Sequence, residues 1–295
     1  SESVAGTVNL VKSTPQTHAI TVTNDGNGTA SASPVSATAG TEITLTATPK
    51  TGYEFKEWTI TPANITITNN KFTMPGEAVT VTANFAKVNY TVTVDSAIEN
   101  GTLAADKPTA QMGDTVTLTA TPDVGYKTAS VTMNGTPLTA NADGKYTFAM
   151  PARNVKVSAT FVKQTFHVTK SNGLTGNPTA TYGEDYIGTI APYQPGSGYT
   201  YAVKYTVGSS TEQKTATISS TGTFTIPGAE VTGDLNITLT TNQKTVTVTF
   251  KYEHGGTDTR TILYGMDFTP FPTCPEEGYE YAFTTADGKP WTGRN

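Results

Sequence analysis

One ten-residue segment occurs twice in this chain at a fixed distance, and this repetition constrains the fold more than any other feature. The segment GTEITLTATP at 40–49 precedes Gly52-Tyr53, and its near copy GDTVTLTATP, 73 residues further on, precedes Gly125-Tyr126. A third pair, Gly198-Tyr199, lies another 73 residues along the chain. A recurring period means that one small structural unit is built several times. We therefore expect the 295 residues to form consecutive small units and not one large domain.

Within the repeated segment, apolar side chains alternate with threonine. Ile43, Leu45 and Ala47 point to one face and the threonines between them to the other, which is the period of a half-buried strand. Threonine is β-branched and suits strands, and the 27 glycines and 17 prolines supply turns. No window has the apolar spacing of an amphipathic helix. The sequence predicts an all-β chain, a tandem array of small antiparallel β modules.

Recurring landmarks divide the chain into units: an alternating first strand, the Gly-Tyr pair and an alternating closing strand. The predicted divisions are 1–17 (a linker or the tail of a preceding unit), 18–86 (repeat 1), 87–163 (repeat 2), 164–242 (repeat 3, degenerate) and 243–295 (repeat 4, truncated). The predicted linkers, 86–89 and 162–165, leave few free residues between repeats. Linkers this short predict an extended, fairly stiff rod.

Two local features are predicted inside these repeats. Along 53–60 the apolar residues change face, from Tyr53 and Phe55 to Trp58 and Ile60, which indicates a β-bulge or a partly exposed aromatic side chain. In repeat 2, Asn134-Gly135 separates two short alternating segments. Asn-Gly tolerates the positive φ angles of a type I′ turn, so this dipeptide predicts a tight β-hairpin.

Charge and composition exclude some classes of function. The net charge of −5 is spread without basic runs, which argues against a nucleic-acid partner. No apolar segment approaches the length of a membrane span, and Ser1 begins no signal peptide, so we expect a processed or excised piece of a longer protein. The single cysteine, Cys274, forms no internal disulfide, which fits a cytoplasmic or an exported bacterial protein. We expect a monomer.

The recurring motifs resemble those of a known family. A pattern of Gly, TVTLTATP, Gly-Tyr, FTMP and VTVTANF recurs in this order with substitutions, such as EITLTATP in the first repeat and FAMP and VKVSATF in the second. It covers 18–86 and 87–162 well and 164–242 weakly. This pattern resembles the divergent internalin B-type repeats of bacterial surface proteins. The last unit resembles the sister Listeria–Bacteroides repeat through VTF at 248–250, Gly255-Gly256, LYG at 263–265, Gly278-Tyr279 and DGKPW at 287–291. It departs from that family at 281–283, where YAF stands in place of an aromatic followed by Gly-Trp.

The resemblance implies an exported bacterial protein with small β-rich modules, which are β-grasp-like in the sister family. A small β-sandwich is the alternative. Repeats of this kind carry a binding or catalytic domain away from the cell wall as a stalk, or adhere weakly themselves. The resemblance brings no catalytic residues and no cofactor.

Candidate sites are few in this sequence. Trp58, Tyr199 and Tyr201 could contact a host or cell-wall glycan or a protein if exposed, although aromatics at a repeated position more often pack in a core. The loop at 25–28, DGNG, could ligate calcium, but a hairpin turn needs no ion and no Glu ends the loop. Cys274 has no recognisable histidine partner. We therefore predict no catalytic, cofactor-binding or metal-binding residue.

Three hypotheses follow from these observations. The first is a non-catalytic stalk or adhesion region, suggested by the repeats and their short linkers. The second is a glycan- or protein-binding module that uses the aromatic residues. The third is an accessory region of a secreted enzyme whose catalytic domain lies elsewhere.

Overall fold

The computed structural model of the chain describes residues 14–196, 198–251 and 257–264. Contacts divide it into two compact units that are larger than the repeats. The first compact unit lies within 1–122 and 128–161, and the second comprises 123–127 together with residues from 162 onward. In the described residues the regular structure is β-strand apart from one short 3₁₀ turn. The all-β prediction is confirmed. None of the helical structure described is long and apolar enough to cross a membrane.

Repeat 1 consists of two sheets. Its strands are β1 (Thr17–Asn24), β2 (Gly28–Ser33), β3 (Ser36–Thr38), β4 (Glu42–Pro49), β5 (Tyr53–Thr61), β6 (Lys71–Thr73) and β7 (Val79–Lys87). One sheet has the order β3-β1-β7-β5 and the other the order β2-β4-β6. Ile20 and Val81 from the first sheet share a core with Ile43, Leu45 and Phe72 from the second. This arrangement is a small two-sheet sandwich.

Repeat 2 follows the same plan. Its strands are β8 (Asn89–Val94), β9 (Gly101–Ala105), β10 (Thr109–Gln111), β11 (Thr115–Pro122), β12 (Tyr126–Met133), β13 (Thr136–Pro137), β14 (Tyr146–Ala149) and β15 (Val155–Lys163). The sheet orders are β10-β8-β15-β12-β13 and β14-β11-β9. β12 and β13 form the predicted hairpin, in which Met133 pairs with Thr136 and both Asn134 and Gly135 have positive φ. The type I′ prediction is confirmed.

Repeat 3 keeps this plan despite its divergent sequence. Its elements are β16 (Thr165–Lys170), β17 (Leu174–Gly176), β18 (Thr179–Thr181), β19 (Tyr186–Ile190), β20 (Tyr199–Val207), β21 (Lys214–Thr215), β22 (Thr217–Ile218), β23 (Thr223–Ile226), the 3₁₀ turn Gly228–Glu230 and β24 (Leu235–Gln243). The sheet orders are β18-β16-β24-β20-β21 and β17-β19-β23-β22. Val203 and Ile237 from one sheet meet Phe224 and Ile226 from the other in the core.

In repeats 1 to 3, the first strand pairs parallel with the last strand. In these parallel pairs, Ile20 lies opposite Val79, Val92 opposite Val155, and Val168 opposite Leu235. A parallel pair needs a long crossover, and the second sheet of each repeat lies within that crossover. The chain therefore leaves each repeat on the strand next to the one by which it entered.

The predicted bulge is present in β5. The register of β5 against β7 shifts between Phe55 and Glu57, so Phe55 pairs with Phe85 and Trp58 with Ala83. The inserted residue moves the later side chains to the other face, as the change of apolar face indicated.

The linkers are shorter than predicted. Lys87 still belongs to β7 and Asn89 already belongs to β8, so Val88 alone separates repeats 1 and 2. Gln164 alone separates β15 from β16, and Lys244 alone lies between β24 and β25 (Thr245–Lys251). The predicted four-residue linkers were too long, because strand pairing continues into them. In the first linker, for example, Lys87 still pairs with Tyr53 in the β5–β7 ladder.

Repeat 4 is described only in part. β25 pairs antiparallel with β26 (Thr257–Leu263), from Thr245 with Leu263 to Lys251 with Thr257. Gly255-Gly256, Cys274, Gly278-Tyr279, 281–283 and 287–291 lie outside the described residues.

Candidate functional site: linker contacts and exposed tyrosines

Each single linker residue is held by a backbone hydrogen bond to the Gly-Tyr pair of the repeat before it. Within the first compact unit, the Val88 N–H donates to the carbonyl oxygen of Gly52 at 3.0 Å. Within the second compact unit, the Gln164 N–H donates to the carbonyl oxygen of Gly125 at 2.8 Å, and the Lys244 N–H donates to that of Gly198 at 2.6 Å. The same bond therefore recurs at three linkers, and it involves the glycine that marks the sequence period.

The Gln164 side chain adds a further contact at its linker. Its Nε2 donates to the carbonyl oxygen of Tyr126 at 3.1 Å. Lys163, the residue before it, forms a salt bridge of 2.9 Å with Glu184. This ion pair raises the pKa of Lys163 through its hydrogen bond to Glu184. Both groups are solvent-exposed, so the pair contributes little to stability.

Trp58 lies in the packing of repeat 1. It is partly buried against the core, and its ring centroid is 5.1 Å from that of Phe55. The indole Nε1 donates a hydrogen bond of 2.9 Å to Asn70 Oδ1. Its polar atom therefore already has a partner within the repeat.

Tyr199 and Tyr201 lie two residues apart on β20, so they share one face of the strand. Tyr199 is 42% exposed. Tyr201 packs against Tyr193 with ring centroids 4.9 Å apart and an interplanar angle of 48°, and its hydroxyl accepts from the Gln194 N–H at 3.3 Å. Sequence reasoning missed Tyr193, which a loop brings to this face. The structure thus pairs Tyr193 with Tyr201 against the core of repeat 3, leaves Tyr199 exposed on the same strand as Tyr201, and places Trp58 in a different repeat.

The loop at 25–28 is organised by its own carboxylate. Asp25 Oδ2 accepts from the Phe85 N–H at 2.9 Å, and Oδ1 accepts from the Asn27 N–H at 3.0 Å. These bonds, chiefly the one from Phe85, lower the pKa of Asp25. Both carboxylate oxygens therefore have protein donors, as the hairpin-turn interpretation requires.

Metal ligands are not grouped in the described part of the chain. Among residues 14–196, 198–251 and 257–264 there is no group of three or more His, Cys, Asp or Glu side chains that could hold an ion.

The fold and its repeated linkers define an all-β tandem-repeat protein. Family comparison makes this assignment specific: the chain belongs to the divergent InlB B-repeat domain family, whose model matches residues 18–89 and 90–165 in tandem. The two matches meet between Asn89 and Tyr90, one residue after the start of β8. The resemblance to divergent internalin B-type repeats is confirmed over 18–165, and the resemblance of the last unit to the Listeria–Bacteroides repeat stays a prediction.

Comparisons with individual proteins give no assignment beyond the family. No curated protein matches the sequence. Among solved structures, the Bacillus anthracis TIE protein is similar at a TM-score of 0.28 and 9% sequence identity, over 84% of this chain and 48% of that one. The chain thus spans about half the length of that protein. A likeness of this size does not extend the family assignment.

Proposed function

We propose that this chain is a non-catalytic spacer in an exported bacterial surface protein, where its repeats hold a distal domain away from the cell. The observation that supports this most is the linker geometry. A single residue separates consecutive repeats, and its N–H is bonded to the preceding Gly-Tyr pair at Val88, Gln164 and Lys244. One residue contributes only two soft dihedral angles, so a spacer built in this way resists folding back on itself.

Family membership supports the surface location. Divergent InlB B-repeats form a repeat-domain family and not a catalytic one, and repeats of this type are typical of bacterial surface proteins. Protease treatment of intact bacteria that express the protein tests the location. Peptides from 14–264 should be released before lysis, and their release only after lysis would contradict a surface location.

A length series tests the spacer role. Small-angle scattering would compare the full chain with a variant lacking 90–165 and a variant with 90–165 duplicated. We expect the maximum dimension to change by a similar increment at each step, with unchanged β-strand content by circular dichroism. A duplication that leaves the maximum dimension unchanged would show a collapsed cluster and reject the spacer.

A second candidate function is weak binding of a glycan or protein by repeat 3. The exposed ring of Tyr199, on the same strand as Tyr201 of the tilted Tyr193–Tyr201 pair, favours it, since aromatic faces with polar edges suit such ligands. Soluble cell-wall and host glycan fragments would be titrated against the wild type and the Tyr199→Ala and Tyr90→Ala variants. We expect Tyr199→Ala to weaken binding about tenfold and Tyr90→Ala, a tyrosine of repeat 2, to leave it unchanged. Equal affinities would reject this candidate.

Trp58, in repeat 1, is a second candidate contact for such a ligand. A Trp58→Leu variant removes both the aromatic face and the N–H that Asn70 accepts. Unchanged glycan affinity in this variant would assign Trp58 to packing alone. The third hypothesis, an accessory region beside a separate catalytic domain, differs from the spacer only in the nature of the distal domain.

A further inference from the structure

The glycines of the three Gly-Tyr pairs each face a bulky side chain that belongs to the next repeat along the chain. Gly52 faces Met112, Gly125 faces Tyr182 and Gly198 faces Tyr264. A Cβ added to any of these glycines would lie less than 3.0 Å from the facing side chain, which real Cβ atoms do not tolerate. The three glycines also have positive φ, +86°, +82° and +80°. At Gly125 and Gly198 glycine is thus required both for the backbone angle and for the space, since an aromatic ring faces each of them. At Gly52 the backbone angle is the stronger reason, because the facing atoms are the flexible end of Met112, which is 39% exposed.

The three facing side chains occupy one recurring position. Each immediately precedes a glycine, in Met112-Gly113, Tyr182-Gly183 and Tyr264-Gly265, and each follows a strand: β10, β18 or β26. In repeat 1 the residue before the corresponding glycine, Gly40, is Ala39. Two periodic features of the sequence, separated by about 60 residues, therefore meet wherever one repeat follows another.

Backbone hydrogen bonds fix this contact through the linker residue. In the second compact unit, the Tyr182 N–H donates to Gln164 O at 3.0 Å while the Gln164 N–H donates to Gly125 O at 2.8 Å. The same two-step chain recurs when Tyr264 donates to Lys244 O at 2.8 Å. The ring of Tyr182 also lies 6.5 Å from that of Tyr126, at an angle of 57°, within the range of aromatic pairing.

We propose that each Gly-Tyr pair is a socket for the bulky side chain before the turn glycine of the following repeat, and that the filled socket stabilises the joint between neighbours. This goes beyond the spacer role, because a spacer could equally consist of repeats that do not recognise one another. In tandem arrays, the stability of each repeat depends partly on the free energy of its interface with the neighbouring repeat. The socket would supply that interface energy here.

The chain offers a matched pair of glycines for the test. Gly125 and Gly113 have φ of +82° and +89°, but nothing lies within 4 Å of a Cβ added to Gly113. Gly125→Ala and Gly113→Ala therefore carry the same backbone strain, and only Gly125→Ala places a methyl group in the Tyr182 ring. A Tyr182→Ala variant empties the socket without straining the backbone, so it remains informative if Gly125→Ala folds poorly.

The readout is amide hydrogen exchange at Gln164 and Tyr182, whose N–H groups form the bonds described above. We expect protection at both amides to fall at least tenfold in Gly125→Ala and Tyr182→Ala and to remain near wild type in Gly113→Ala. The amide of Val203, in the core of repeat 3, should stay protected in all variants as the control for folding. Wild-type protection of the amides at positions 164 and 182 in the Tyr182→Ala variant would overturn the proposal.

A double-mutant cycle adds an independent measurement. Because the methyl group of Gly125→Ala clashes with the Tyr182 ring, Gly125→Ala should be less destabilising when Tyr182→Ala is already present. Strictly additive effects on the unfolding midpoint would show that the two residues do not interact. The scattering increments of the length series do not depend on this result, so the socket and the spacer can fail separately.

Discussion

The indole Nε1 of Trp58 donates a hydrogen bond of 2.9 Å to the side-chain oxygen of Asn70, a residue held at a φ of +58°. Asn70 also gives its backbone carbonyl to the Leu45 N–H at 2.8 Å. One turn residue therefore connects the aromatic of β5 to β4, the central strand of the other sheet of repeat 1. This accounts for the position of Trp58 without any ligand.

Replacing Asn70 with glycine should weaken repeat 1 modestly. Asn70→Gly keeps the positive φ at no steric cost and removes only the acceptor for Trp58, so we expect a loss of about 0.5–1.5 kcal/mol in unfolding free energy. Urea unfolding followed by tryptophan fluorescence measures it, in a Trp291→Phe background so that Trp58 is the only reporter. Asn69→Gly, at a φ of +50°, is the matched control. Equal losses in the two variants would show that the Trp58 bond contributes nothing.

Gly28 should not tolerate even a methyl group. Its φ is not in the left-handed region, but an added Cβ would lie less than 3.0 Å from three atoms of the buried Phe85 ring. Overpacking of this kind costs about 1–3 kcal/mol. We expect that loss in Gly28→Ala by urea unfolding and almost none in Gly76→Ala, where no atom lies within 4 Å.

A second substitution separates overpacking from other causes. Phe85→Leu makes room beside position 28, so Gly28→Ala should cost less in that background than in the wild type. If Gly28→Ala is equally harmful in both backgrounds, contact with Phe85 is not the reason.

The stability of repeat 1 should fall in acid partly through Asp25. Its pKa is lowered from the ordinary value of 3.8, first by the hydrogen bond from the Phe85 N–H. A carboxyl with a depressed folded pKa stabilises the fold above the unfolded pKa, and this contribution is lost as the pH falls through the folded pKa. Between about pH 5 and about pH 2, the urea midpoint should therefore decline less steeply in Asp25→Asn than in the wild type. Parallel declines would contradict the assignment.

Local features of this fold were predictable from sequence because neighbouring residues determine them. The alternation in 43–47, the change of face around Phe55 and the Asn134-Gly135 turn each depend on a few adjacent side chains. The 3₁₀ turn Gly228–Glu230 was not predicted, since three residues carry no periodic signal.

Non-local features were not predictable in the same way. Strand alternation shows which face is buried but not which strand is the neighbour, so the parallel pairing of Ile20 with Val79 has no signal in either segment. The Gly-Tyr pairs were visible as markers of the period, but Gly125 meets Tyr182 far along the chain. The partner of Trp58 was missed for the same reason, because Asn70 reaches it only through a left-handed turn.

We expect each repeat to fold around a core of its own, and hydrogen exchange across the whole chain reveals this when one core is damaged. Ile43 is fully buried in the core of repeat 1, so Ile43→Ala should destabilise that repeat by about 2–5 kcal/mol. We expect faster exchange throughout 17–87, with the strands of 165–243 protected as in the wild type. Faster exchange of equal size in 165–243 would show one continuous core and contradict it.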